Sequence, residues 1–290
     1  MIEIDRRREL ASLTEKYSSG EGVHATAVSG LFCIRLSAPN MTLPAVYRPS
    51  ICVILQGAKQ VLLDEEIYRY EPPQFLAVSV DLPLLGQVVA ASAGRPYLCL
   101  QIEIDPRQIG ELIAHSGDAG WSRGETARGL FVGTLDAPTL EAVLRLARLL
   151  ETPNDIPVLA PMMLREFHYR LLSGDYGPLI AQMAIAGSNT RKIGQVIRQI
   201  KTHLALPIRI EELAATANMS PSSFHQHFKA VTAMSPLQYQ KHLRLQEARR
   251  LILSAAMDAA SAQNALALSS AWSIARMRAP ILCRVSSNSV

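Results

Sequence analysis

The stretch ANMSPSSFHQHFKAVT (217–232) carries the residue types best suited to chemistry with a partner. On a helix, Phe224 and Phe228 lie four apart on one face, leaving Ser222, His225, Gln226 and Lys229 on the other. Solvent faces of helices usually carry Glu–Lys pairs; this one offers small uncharged hydrogen-bonders and a single lysine. Such a set suits nucleobase edges, which present donors and acceptors at fixed points behind a phosphate backbone that repels carboxylates. His225 and Gln226 are the candidate base readers, with Ser222 and Ser223 beside them. Lys229 can pair with a phosphate, as can Lys241, Arg244, Arg249 or Arg250, and phosphate contacts set the docking register. Between Asn218 and Gln246 there is no acidic residue. The plainer readings are a solvated surface for His225 and Gln226, a helix first turn for Ser222 and Ser223, and a packing role for His227. His225 and His227 point about 200° apart on a helix, so they cannot chelate one ion together.

Four helical segments must hold this face in place. They are RKIGQVIRQIKTHL (191–204), RIEELAATAN (209–218), SPSSFHQHFKAVT (220–232) and SPLQYQKHLRLQEARRLILS (235–254). Proline stands at the first helical position after Ser220 and after Ser235, and Asn189 or Thr190 is placed to cap the first segment. The second and third segments have helix-turn-helix spacing: Leu213, Ala214 and Ala217 permit a close crossing, and the two phenylalanines fill the angle. The free face of the second helix in such a motif enters the DNA major groove.

Upstream the periodicity changes. From about residue 22 to 105 the apolar segments are short: ICVILQG (51–57), KQVLLDEEIYRY (59–70), QFLAVSV (74–80), GQVVAAS (86–92) and PYLCLQIEI (96–104). Breaks at Gly57, Asp64–Glu65, Pro72–Pro73, Pro83 and Gly94–Pro96 have the spacing of an antiparallel barrel or sandwich. Residues 139–151, with Pro138 at the start, and 157–172 then show helical repeats. This pair can form a dimer face or pack on the barrel. The fold class expected is α+β: a β-barrel with a helical pair over 1–185, then an all-α unit over 186–290, joined by a small polar hinge at 186–190.

Charge follows the same division. Residues 1–190 hold 16 basic and 21 acidic side chains, a net of −5; residues 191–254 hold 10 basic and three acidic, a net of +7. An acidic body joined to a basic module suggests a sensor or catalytic part carrying a polyanion-binding unit. No apolar run approaches the roughly 20 residues needed to cross a bilayer, and the N-terminus lacks the apolar stretch of a signal peptide, so a cytoplasmic protein is expected. Cys33, Cys52, Cys99 and Cys283 form no CxxC pair; three lie in or beside apolar segments and read as buried thiols, with electrophile or oxidant sensing by Cys52 and Cys99 the sharper alternative. The β-segments lack the His and Glu cluster of a metal-binding cupin, His24 standing alone, and no nucleophile–base pair or phosphate loop stands out. No enzyme activity, metal or cofactor is expected.

The segment EELAATANMSPSSFHQHFKAVTAMSPLQYQKHLRLQEARRLIL resembles the DNA-binding domain of AraC/XylS-type bacterial transcriptional regulators. The pattern is carried by Leu213–Ala214, Ser220, Phe224, Phe228–Lys229, Ser235–Pro236, Tyr239, Arg244–Leu245 and Ala248–Arg249. Residues 49–88 are similar to the cupin-like sensor domain of one branch of that family. The resemblance implies two helix-turn-helix units joined by a long helix, here 235–254, reading successive major grooves of double-stranded promoter DNA. It also implies a sensor that binds a small effector or mediates homodimerisation, and an influence on RNA polymerase. Two departures stand out. Residues 259–290 contain no acid, Phe or Gly and lack the family's second-unit signature, which predicts weak or absent binding by that unit; a β-barrel ligand-binding or scaffold protein with impaired DNA binding is the alternative function. Ala233 stands where the family has Gly, which predicts modest backbone strain.

Overall fold

The computed structural model describes residues 2–40, 42–116, 126–185 and 187–254. Helix α1 (Ile2–Lys16) precedes nine strands: β1 (Gly22–Ala25), β2 (Leu31–Leu36), β3 (Leu43–Tyr47), β4 (Ser50–Gln56), β5 (Ala58–Leu63), β6 (Glu66–Tyr70), β7 (Gln74–Val78), β8 (Leu82–Ala90) and β9 (Tyr97–Glu103). Helix α2 (Pro106–Ser116), strand β10 (Leu130–Thr134) and helices α3 (Ala137–Arg148), α4 (Ile156–Ser173) and α5 (Gly177–Ala181) complete the β-domain. The C-terminal helical region is α6 (Asn189–Thr202), α7 (Ile210–Thr216), α8 (Pro221–Thr232) and α9 (Pro236–Ser254).

The strands form two antiparallel sheets rather than a closed barrel. One runs β1-β2-β9-β4-β7-β10 and the other β3-β8-β5-β6. The unbroken apolar run of β4 follows from its place: both faces are covered, and its first six residues are all buried. Its outer face joins Ile51 and Val53 to Leu140, Val143, Leu144, Phe167 and Leu171 of α3 and α4. Its inner face puts Cys52 and Ile54 between the sheets. The 139–151 helix therefore packs on the β-domain, while α4 also keeps Val158, Met162 and Tyr169 exposed.

Most turn residues act where the sequence places them. Asp64 sits at φ 54° in the two-residue link between β5 and β6, a left-handed conformation that Asp tolerates. Pro83 is different, because it lies inside β8. There it pairs with Val46 of β3, and the β5 partnership of β8 begins only at Leu85, so the proline stands where β8 has a paired neighbour on one side alone. Helices α1 and α2 go beyond the sequence reading. The first buries Leu10, Leu13 and Thr14 of a charged stretch; the second starts where the Asp105 carboxylate accepts the Arg107 N–H at 2.8 Å.

His168 of α4 is buried, with Nδ1 3.0 Å from Gln108 Oε1. Burial pushes its pKa down to about 4 from 6.5. The unfolded chain thus takes up a proton near pH 6.5 that the folded chain refuses until about pH 4. The stability linked to this group is complete above pH 6.5 and falls by up to about 3 kcal/mol as the pH drops through that window. Urea unfolding at pH 7.5 and 5.0 should show this loss in the wild type and a smaller one in His168→Leu.

Candidate nucleic-acid interface

Local sequence builds the helix pair. Leu213, Ala214 and Ala217 of the first helix are buried, and Asn218, at φ 52°, turns the chain. Ser220 caps α8 by accepting the Ser223 N–H at 3.3 Å, and Pro221 occupies its first turn. Phe224 and Phe228 are fully buried; their rings meet edge-on at 5.5 Å, and Phe228 meets Tyr239 of α9 at 5.5 Å and 88°. Ala233 ends α8 in the left-handed conformation at φ 61°, its N–H donating to Lys229 O at 2.8 Å. This is the strained position that Gly would fill more easily.

The opposite face of α8 is open. Ser222, His225, Gln226 and Lys229 are exposed, and Ser223 is half-buried at the cap. No ion pair in the described residues involves the side chains of Lys229, Lys241 or Arg249, the last two half-buried on α9. Arg250 pairs with Glu247 at 2.6 Å. Arg244 is placed differently. Its guanidinium donates to the carbonyls of Leu204 at 2.7 Å, Ala205 at 3.0 Å and Leu206 at 2.9 Å. One turn earlier, buried Gln240 donates to Leu206 O at 2.7 Å and Leu204 O at 3.3 Å. Together the two side chains hold the turn of residues 204–206 that follows α6, whose carbonyls lie past the helix ladder. At the other end of α6 the cap is Ser188, which accepts the Arg191 N–H at 3.2 Å. It replaces Asn189 and Thr190 because only Ser188 has the extended backbone of a capping residue, at ψ 146°.

Asn189 has another task. Its Nδ2 donates to Thr126 Oγ1 at 2.7 Å, and the same hydroxyl lies 3.0 Å from His227 Nδ1. His227 therefore faces the β-domain while His225 faces solvent, as their two-residue separation requires. Arg128 extends this junction. Its Nη1 donates to Lys229 O at 3.0 Å and Ala230 O at 2.9 Å, and its Nε donates to Glu66 Oε2 at 3.1 Å. Next to it, Gly129 N–H donates to Val231 O at 2.7 Å. The hydrogen bond from Tyr68, opposed by partial burial and assisted by Arg128, holds the Glu66 carboxyl below the ordinary carboxylate range. Tyr239 Oη donates to Asp81 O at 2.6 Å, and Lys201 pairs with Asp81 at 2.5 Å. The last turn of α8 is thus anchored to the β-domain, and the packed interior between the sheets runs without a break to Phe224, Phe228 and Tyr239. Residues 126–130 carry no local signature of this role; an isolated Thr and Arg read as ordinary surface.

A two-sheet β-domain carrying a helix-turn-helix with an acid-free outer face defines a DNA-binding regulator with an N-terminal sensor-type domain. A family model described as the AraC-type transcriptional regulator N-terminus matches residues 27–179, and a helix-turn-helix domain model matches residues 213–277. The chain belongs to the AraC-type transcriptional regulators. The second match continues past Ala260, into the segment where the departure from the family was noted and which lies outside the described residues, as does Cys283. Among solved structures, unsaturated fatty acid-bound ToxT from Vibrio cholerae strain SCE256 shares the fold, with a TM-score of 0.53 at 10% identity over 79% of this chain and 82% of that one. The AraC-like transcriptional activator CuxR aligns over 84% of this chain and 91% of its own at 13% identity, with a TM-score of 0.33. No curated protein matches the chain. Among the described residues no helix is long and apolar enough to cross a membrane.

Proposed function

We propose that this regulator reads one major groove of promoter DNA with the outer face of α8, in response to a small effector held by the β-domain. The observation that carries this reading is the exposure of Ser222, His225, Gln226 and Lys229 on a helix whose other face is locked by Phe224 and Phe228. Gln226 and His225 meet base edges, Ser222 and Ser223 approach the backbone at the helix start, and Lys229, Lys241 and Arg249 neutralise phosphates. Arg244 is proposed to act indirectly, by fixing the turn after α6 on which α7 is hung. Residues 1–185 serve as sensor and 186–290 as DNA-binding unit, with no catalytic step in either.

The effector part of the reading is supported by ToxT, solved with an unsaturated fatty acid bound. Homodimerisation is supported by the exposed α4 row of Val158, Met162 and Tyr169, and contact with RNA polymerase by family membership alone. A mobility-shift titration against salt tests the DNA-binding claim. Affinity should fall linearly on logarithmic axes, with a slope of about −0.9 for each phosphate neutralised. Salt-independent binding, or none to any duplex, would point instead to a ligand-binding or scaffold protein.

The Arg128 junction should govern how rigidly α8 is presented. Arg128→Ala removes charge-assisted bonds to two helix-end carbonyls, each worth roughly 1.5–3 kcal/mol. Hydrogen-exchange protection of the last α8 turn is expected to drop, with DNA affinity changing alike for preferred and unrelated sequences.

A further inference from the structure

Cys52 and Cys99 stand on neighbouring strands of the larger sheet, and both face the space between the sheets. On the β4–β9 ladder Cys52 is opposite Gln101 and Cys99 opposite Ile54, so the cysteines are diagonal neighbours on one face. The Cys99 S–H donates to the Cys52 sulfur. Cys52 is 5% exposed and Cys99 1%, so a small reagent entering from solvent meets Cys52 first. Lys59 of β5, hydrogen-bonded to Tyr47, holds its ammonium within the field of both sulfurs. Cys33 is the contrasting case: it lies on β2 opposite Leu100 and packs into the apolar cluster on the other side of the sheet.

The two neighbours differ as acids. The hydrogen bond from Cys99, opposed by burial and assisted by Lys59, holds the Cys52 thiol below its ordinary value. Burial, and after it the bond to Cys52, pushes the Cys99 thiol well up. Cys52 is therefore the readier thiolate, with a proton-bearing second thiol already in contact. Burial alone pushes the Cys33 thiol up to about 11.

We infer that Cys52 and Cys99 form a redox-active dithiol, in which Cys52 attacks a hydroperoxide and Cys99 closes the disulfide. The Cys52 thiolate attacks one peroxide oxygen, the O–O bond breaks, and hydroxide leaves to give the sulfenic acid. The Cys99 sulfur then displaces the sulfenic hydroxyl, which departs as water with the Cys99 proton. One dithiol and one hydrogen peroxide thus become one disulfide and two waters. Diagonal neighbours on a ladder have Cα atoms roughly 7–8 Å apart, whereas a disulfide spans about 4.4–6.8 Å, so closing the bond draws β4 and β9 together. Both cysteines belong to the packed cluster that includes Phe228 and Tyr239, so that movement reaches the residues that hold α8. This gives the β-domain an oxidant input that does not depend on any effector.

Treating the reduced full chain with hydrogen peroxide, then denaturing, alkylating the remaining thiols and mapping peptides by mass spectrometry, tests the proposal. Cys52 and Cys99 should leave the alkylated pool together as one peptide pair lighter by two hydrogens, and return with dithiothreitol. Each unit of pKa lowers the thiolate fraction tenfold, and higher nucleophilicity restores about half of that on a logarithmic scale. Against a Cys33 thiol at about 11, Cys52 should therefore be consumed at least about tenfold faster. In Cys99→Ser, Cys52 should stop at a sulfenic acid that dimedone traps, and Lys59→Met should slow Cys52 oxidation several-fold. Should either variant fail to fold, the wild-type map decides alone. Consumption of Cys52 and Cys99 no faster than Cys33, a bridge from either to Cys283, or irreversible oxidation without a bridge would overturn the site. Mobility shifts of the reduced and bridged forms should differ in DNA affinity, reversibly with dithiothreitol; identical affinities would overturn the oxidant input.

Discussion

Phe228→Ala is expected to destabilise the helical region by roughly 3–5 kcal/mol and to abolish DNA binding. Phe228 has no solvent exposure, and it joins α8 to α9 through an edge-on contact with Tyr239, beside a second edge-on contact with Phe224 on its own helix. Removing the ring opens a cavity where α8 meets α9, and little can collapse into it because Arg128 and Gly129 tether the end of α8 to the β-domain. The loss is large against the 5–15 kcal/mol that stabilises a typical domain. Circular dichroism should show lost helix with the β signal retained, and thermal unfolding should split into two transitions as the helical region melts first. A single unchanged transition would mean that the ring is not the keystone its burial indicates.

The second large effect is one of discrimination. Gln226 is exposed on the outer face of α8, and a bidentate Gln–base contact contributes about 1–3 kcal/mol against the wrong base. Gln226→Ala should therefore lower affinity for the preferred site by about tenfold or more, with little change on unrelated DNA. Lys229→Ala should behave oppositely, weakening all sequences alike and reducing the magnitude of the salt slope by about one phosphate. The residues are three apart on one helix, so a general loss of folding would affect both assays together. Parallel behaviour of the two variants on every sequence would refute the assigned roles.

How much of this was legible in the sequence differs from element to element. The helix pair was clear because its signals are local: Ser220 and Ser235 before prolines, alanines at the crossing, and phenylalanines one turn apart. Strands β4, β5, β6, β7 and β9 were clear from apolar runs bounded by turn residues. The break expected at Pro83 failed because the consequence of a proline in a strand depends on which neighbour needs the N–H, and that is a tertiary fact. Helix α1 escaped notice because its apolar row is short, with Leu10 and Leu13 the large apolar side chains it buries in a charged stretch. The outer face of α8 could be read from residue type alone. The junction at its end could not, because Glu66, Thr126, Arg128 and Asn189 come from distant parts of the chain and share no motif. Arg244 shows the converse: a basic residue in a basic stretch reads as a phosphate partner until its donors are found on the carbonyls of 204–206.

Selection of bound sites from random duplex DNA, followed by interference mapping with guanines methylated at N7, tests the central claim most directly, because N7 lies in the major groove. The wild-type protein should enrich a defined motif, with methylation inside it excluding binding at the positions that face Gln226 and His225. Recovery of unselected sequence, or a motif indifferent to N7 methylation, would contradict major-groove reading by α8.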